Sequence, residues 1–381
     1  MYPALPLLLS PDQELIQRVV REFAEKELAP EAASIDRAAR FPRDHFGKMA
    51  PLGLLGMFLP ADQGGSGTDT LSFTVAVEEV ARASGTDAAL MILLNTVVHQ
   101  LLAKAADEGQ RSRFLAPGAA GALVGTTAMT EEAGGSNIDE LLTTADETED
   151  GLYELRGSKA FVACGGSADS YVVLANLLGA GPTLFLVPGD AAGLHFSAPE
   201  SKLGLRGLPL AEMYMNRVRL PPEARLGAAG VALTLLEEPV RLARLGVAAG
   251  LIGLTQAALE QSVDFAKSRV QFGQPIIRFG AIRGFLADVQ AELEAARATA
   301  YGAAALRDSG KEYEEEVLEA RLLAHKVAVR GTRIAHKVHG GAGFMRDLPL
   351  ERISRDVRTL MHVGDAHDVT RARLADKILG P

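Results

Sequence analysis

Several short stretches of this sequence bring together side chains able to do chemistry. "AMTEEAGGSNI", residues 128–138, is an apolar run reaching Met129 and Thr130, followed by two acids, a glycine pair and Ser136. A Thr hydroxyl at a strand end beside a Gly-rich turn suits the polar edge of a flat cofactor, although the same residues also make an ordinary β-turn. "SRVQFGQPI" sets Arg269 beside a turn at Phe272 to Pro275. "GGAGF", residues 340–344, would let backbone N–H groups approach a pyrophosphate or simply end a helix; it lacks the G-x-G-x-x-G spacing and follows no strand. "HVGDAHDV", residues 362–369, interrupts a helical pattern with Gly364 and Asp365. His336 and His339 share a helix face, but no carboxylate or thiol set completes a metal site, so no metal is expected.

The composition bounds what these groups can serve. With 381 residues, 48% of them hydrophobic and 23% charged, two or three domains with substantial cores are expected. A net charge of -9 opposes binding along a nucleic-acid backbone, which needs a basic face. Cys164 is the single cysteine, so no internal disulfide can form, and this suits a reducing, cytoplasmic compartment. The apolar opening "MYPALPLLLS" lacks a basic flank and reads poorly as a signal peptide. "LARLGVAAGLIGLTQAAL" carries Arg244 and Gln256 and reads as a buried bundle helix, not a membrane span.

The elements that must position the candidates follow from periodicity. Ser10 as N-cap, Pro11 at the first helical position and Leu15, Ile16, Val19, Val20 and Phe23 at helical spacing predict an amphipathic helix. Helical patterns continue to residue 121; residues 122–230 change to short β-rich runs such as "LYELRGSKAFV" and "SYVVLANLL"; long Ala-rich helices return over 231–381. The fold class is therefore multidomain α+β: an N-terminal helical domain, a central β-barrel-like domain and a C-terminal four-helix bundle.

In this order, "REFAEKELAPEAASIDR", "LGLLGMFLPADQGGSG", "TEEAGGSN", "SKLGLRG", "RVRLPPEARLG", "SRVQFGQPI", "HGGAGF" and "RDVRTL" resemble the acyl-CoA dehydrogenase family over essentially the whole chain. The resemblance implies FAD bound between the β-domain and the bundle of a homotetramer, with a neighbouring subunit completing each site. By position, Met129, Thr130, Phe161 and Ala163 would lie along the isoalloxazine, and Arg269 and Phe272 at the diphosphate and adenine end. The loop at His339, Gly340 and Gly341 would approach from another chain, Ser136 would lie near the acyl-CoA and Arg244 near the CoA adenosine portion. The implied reaction removes the α-proton of an acyl-CoA with a carboxylate while the β-hydrogen leaves as hydride; an electron-transferring flavoprotein then reoxidises the flavin.

The sequence departs from that pattern at the base. The family's Glu-Gly-Thr stretch falls on Gly364, Asp365 and Ala366, and the alternative base position before Arg244 is Ala243. Ala163 and Cys164 replace a Thr-Asn pair, and Leu208 and Leu210 replace a polar pair. Asp87, at a helix start matching a position that points into the acyl pocket, is the leading candidate base, with Asp365 second; either could instead be a turn or cap residue. An acid at Asp87 would repel a second substrate carboxylate, and Gly364 clears volume, which together suggest a bulky neutral, alicyclic acyl group. A catalytically silent partner subunit, or a reductase, oxidase or acyl-carrier-protein dehydrogenase, are the competing expectations.

Overall fold

The computed structural model describes residues 9–132, 134–135 and 141–380. Ser136, expected near the acyl-CoA, lies outside the described residues.

The N-terminal unit is helical: α1 (Pro11–Phe23), α2 (Ala29–Ala38), α3 (Arg43–Met49), α4 (Thr70–Ala83), α5 (Gly85–Ile92), α6 (His99–Ala105), α7 (Glu108–Gln110) and α8 (Ala116–Ala119). At α1 the expected start is present as a reciprocal cap, with Gln13 N–H donating to Ser10 Oγ and Ser10 N–H to Gln13 Oε1. Ser84 both ends α4 and caps α5, accepting from the Asp87 N–H at 3.3 Å, so it fixes the direction in which Asp87 starts its helix.

The central unit is one twisted sheet. Its strands are β1 (Gly125–Ala128), β2 (Thr144–Glu147), β3 (Tyr153–Ala163), β4 (Ser170–Leu177), β5 (Gly181–Pro188), β6 (Leu194–Phe196), β7 (Leu210–Leu220) and β8 (Arg225–Leu226). The order is β6-β7-β3-β2-β4-β5-β8, with β1 lying parallel to β4. The run "SYVVLANL" is almost continuously buried in β4, as expected for a strand covered on both faces.

The C-terminal unit is a bundle of α9 (Ala232–Ser268), α10 (Gly280–Asp308), α11 (Glu314–His339), α12 (Leu350–Leu360) and α13 (His367–Leu379), with the small hairpin β9 (Val270–Gln271) and β10 (Gln274–Pro275) after α9. Helix α9 is the axis of the molecule. At Gly253 an added Cβ would stand 2.2 Å from the Glu78 carbonyl oxygen, so only glycine permits α4 to approach so closely. Each Leu, Ile or Val of α9 that is fully buried contributes about 1.5–3 kcal/mol, which binds the bundle to the N-terminal unit. Two helical runs are long and apolar enough to cross a membrane, Gly85–Ala105 and Ala232–Ser268, but both are mostly packed inside the protein and are core helices.

Candidate active site

The strand predicted to face a flavin is shaped by a bulge. The pairing of β3 with β7 shifts register between Lys159 and Val162, and Phe161 takes a left-handed backbone (φ 53°) that turns its ring outward, leaving it 67% exposed. The bulge is held from behind: Ala160 N–H donates to the Thr130 carbonyl at 2.9 Å and Thr126 Oγ1 to the Ala163 carbonyl at 2.8 Å. Lys159, fully buried, donates to Glu131 Oε1 at 2.6 Å and to the Met129 carbonyl at 3.1 Å. Burial opposes ionisation of Glu131, but Lys159 and donors at Leu142 and Thr143 hold it below the usual carboxylate range. Met129 and Thr130 are thus tied to the Phe161 bulge by backbone hydrogen bonds and an internal ionic latch.

The turn between α12 and α13 holds Gly364 and Asp365. Gly364 is exposed and left-handed (φ 81°), with open space around the Cβ direction except for Arg321 Nη1 at 4.0 Å. Arg321, on α11, is almost fully buried and uses Nη2 to donate to the carbonyls of Val363 (2.7 Å) and Asp365 (2.6 Å). Its Nη1 has no hydrogen-bond partner among the described residues. Burial pulls the Arg321 guanidinium down to about 10; Asp365 resists this, while the charge of Arg244 adds to it. The surroundings are cationic: His325 is pushed down to about 4 by burial, then by His367, His362, Arg321 and Arg358.

Both candidate bases are already paired. Asp365 is buried and accepts from Arg244 Nε at 2.6 Å, with Arg373 Nε 3.8 Å away. Arg244, expected near the CoA adenosine portion, is buried inside the bundle between Asp365 and Glu314 (3.8 Å) and forms an internal ion pair with Asp365. Asp87 is 1% exposed and its Oδ1 lies 2.9 Å from His45 Nδ1, while its buried Oδ2 has no partner among the described residues. The start of α5 lies where the three units meet. A Cβ on Gly85 would touch Asp356 of α12 and Leu205, and Thr86 lies against Gly207.

Behind that pair, Glu31, Asp44 and His45 bring possible metal ligands within 4.8 Å of one another. Lys48 on Glu31 at 3.0 Å and Arg40 bridging Glu31 and Asp44 at 2.8 Å make this an ion-pair network that needs no metal.

The cofactor anchors divide. Phe272 is 94% exposed at a left-handed hairpin position (φ 50°), Arg269 is exposed beside it, and Gly340 and Gly341 stand open with nothing near their Cβ directions. His339 uses its Nδ1 on the Ala335 carbonyl and stacks its ring on Phe265 at 4.4 Å, contacts that fix the ring at the head of the glycine loop. An outward aromatic on a glycine-free bulge, a held Thr130 and an open glycine loop fit a flat dinucleotide cofactor.

Sequence reasoning missed Arg321, His45 and Lys159. Arg321 and His45 each stand at a buried face of an otherwise ordinary amphipathic helix, a signal readable only as a charge or imidazole at a core position.

This fold and site define a flavin-dependent oxidoreductase of three consecutive units, helical, β and helical. Three family models match the chain in that order: "Acyl-CoA dehydrogenase, N-terminal domain" at residues 10–122, the middle domain at 126–218 and the C-terminal domain at 233–379. The chain belongs to the acyl-CoA dehydrogenase family, whose members bind FAD. It is 33% identical to an acyl-CoA dehydrogenase of Bacillus subtilis (strain 168), over 97% of this chain and 98% of that one. It is 31% identical to the 3-(aryl)acrylate reductase of Clostridium sporogenes (strain ATCC 15579), over 98% and 100%. Among solved structures, butyryl-CoA dehydrogenase from Megasphaera elsdenii superposes with a TM-score of 0.93 at 30% identity, covering 97% of this chain and 99% of that chain.

Proposed function

We propose that the protein interconverts an acyl-CoA thioester and its enoyl-CoA, taking a bulky or cyclic acyl group and using Asp87 in place of the family glutamate. The observation that carries this reading is the contrast between the two carboxylates. Asp365 is drawn onto Arg244 at 2.6 Å, whereas Asp87, in a buried helix start, keeps Oδ2 without a partner among the described residues. FAD, when bound, accepts the β-hydrogen as hydride.

The chain's own residues supply the rest. The α-C–H is weakly acidic, so its removal needs donors on the thioester oxygen, and the N–H of the exposed Gly364 is one. Asp87 Oδ2 takes the α-proton, and the His45 ring, 2.9 Å from Oδ1, orients the carboxylate. The side-chain volume missing at Gly364 leaves room for a ring beside the reacting carbons. Arg269, Phe272, Met129, Thr130, Phe161, Ala163, Gly340 and Gly341 form the cofactor surface, completed by a neighbouring copy in a homotetramer, and an electron-transferring flavoprotein takes up the electrons.

The test is anaerobic bleaching of the flavin in the purified holoenzyme by cyclohexanecarboxyl-CoA. Asp87→Asn is expected to abolish bleaching and Asp365→Asn to spare it; full rate in Asp87→Asn would place the base elsewhere. A flavin spectrum that no acyl-CoA bleaches would favour a silent partner subunit, a reading supported by the ion pairing of both carboxylates. The similarity to an arylacrylate reductase favours the reducing direction with the same residues. Rapid reoxidation by air would instead identify an oxidase.

A further inference from the structure

The place from which the family base would reach the substrate is underlain by a buried cation. Arg321 is 3% exposed, its Nη2 is committed to the carbonyls of Val363 and Asp365, and its Nη1 has no partner among the described residues. That nitrogen lies 4.0 Å from the Cβ direction of Gly364, and among the described residues outside 363–365 no other atom comes as near. A buried guanidinium nitrogen without an acceptor is costly, so an acceptor that reaches it gains the full value of a charge-assisted hydrogen bond.

The charges nearby do not supply that acceptor. Asp365 is spent on Arg244 Nε, Glu314 lies 3.8 Å from Arg244 Nη1 and 2.7 Å from Lys377, and His325, His362, His367 and Arg358 add only cationic or neutral groups. The sequence-based objection to a second substrate carboxylate was repulsion from Asp87. The 2.9 Å contact with His45 reduces it, because a protonated imidazole there offsets the charge of Asp87.

We propose that Arg321 is a specificity-determining residue: its Nη1 receives a carboxylate carried by the acyl group next to the reacting carbons, in the volume left by the missing glutamate side chain. The substrate class is then a ring-bearing acyl-CoA with a second, free carboxylate on the carbon adjacent to the thioester-bearing one. This rests on the acyl carbons lying over the 361–366 turn, as in the proposed function.

Two thioesters that differ in one group test it: cyclohexanecarboxyl-CoA and the mono-CoA thioester of cyclohexane-1,2-dicarboxylic acid. Binding is read from the perturbation of the flavin spectrum and turnover from bleaching, so failure of the chemistry and failure of the recognition are separable. The dicarboxylate thioester is expected to bind at least tenfold more tightly. Arg321→Lys, which keeps a donor for the turn carbonyls but shortens the reach, should erase that preference by raising Kd for the dicarboxylate thioester alone. Gly364→Ala, which leaves Arg321 intact but sets a methyl 4.0 Å from Nη1 in the volume that admits the ring, should weaken both thioesters and the dicarboxylate one more, shrinking the preference. Equal binding of the two thioesters by the unaltered holoenzyme overturns the proposal, as does a preference that survives both substitutions. Tight, selective binding without bleaching would uphold Arg321 and sink only the Asp87 assignment.

Discussion

Arg244 Nε and Asp365 Oδ2 lie 2.6 Å apart inside the bundle, and this pair joins the middle of α9 to the turn that carries Gly364. The turn is therefore held twice, by Arg244 through a side chain and by Arg321 through two carbonyls. Removing one member of a buried pair leaves the other charged and uncompensated, at a cost of about 3–5 kcal/mol. Asp365→Ala should lower stability by that order in urea denaturation, and Asp365→Asn, which keeps an acceptor oxygen, by less. The double variant Arg244→Met/Asp365→Leu should be more stable than Asp365→Ala alone; if it is less stable, the pair is not the reason for the loss.

The Lys159–Glu131 latch allows a cofactor-specific prediction. Lys159→Met strands Glu131 in a buried site and frees the Met129 carbonyl, loosening the strand end at Thr130. The purified variant should lose flavin, read as a fallen ratio of visible to ultraviolet absorbance, and should regain part of it in excess FAD. Lys159→Met/Glu131→Gln should retain more flavin than the single variant, since no uncompensated carboxylate remains.

The sequence was legible where local rules decide and illegible where partners come from elsewhere. Ser10, Gln13 and Pro11 announce α1 because all the groups of the cap lie within one turn. The order of the motifs sets Gly364 at the position where the resemblance expects a glutamate. Nothing in the sequence joins Arg321 to residues 361–365, Arg244 to Asp365 or His45 to Asp87, separated by 44, 121 and 42 positions. Those contacts follow from helix packing, which periodicity orients only by face. The ion pair of Arg244 with Asp365 and the stacking of His339 on Phe265 are contacts of this kind, invisible in the sequence.

His45 makes a pH prediction with a definite sign. Burial works to lower its pKa, but the hydrogen bond and charge of Asp87, with the charges of Asp44 and Glu31, leave it raised above 6.5. A raised folded-state pKa contributes stability in full below the unfolded value, and that contribution disappears as pH rises through the higher folded value. The difference in Tm between the unaltered protein and His45→Gln should therefore be largest near pH ~6 and shrink toward pH ~9. A difference that grows over this range would mean that His45 is neutral in the folded protein.

Restoring the family base should fail for a reason particular to this chain. Gly364→Glu puts a side chain on a left-handed backbone (φ 81°), costing about 1–2 kcal/mol, and aims it past Arg321 Nη1 at 4.0 Å from its Cβ. The new carboxylate gains more from Nη1, which has no acceptor among the described residues, than from solvent, so it is drawn onto Arg321 and held back from the substrate. Flavin bleaching by butyryl-CoA should stay at the level of the unaltered protein. Gly364→Glu/Arg321→Gln keeps an amide donor for the Val363 and Asp365 carbonyls without the charge, and should bleach at least tenfold faster than Gly364→Glu. If the single variant alone bleaches that fast, Arg321 does not capture a carboxylate at this position and the turn is a base site that lacks only its glutamate.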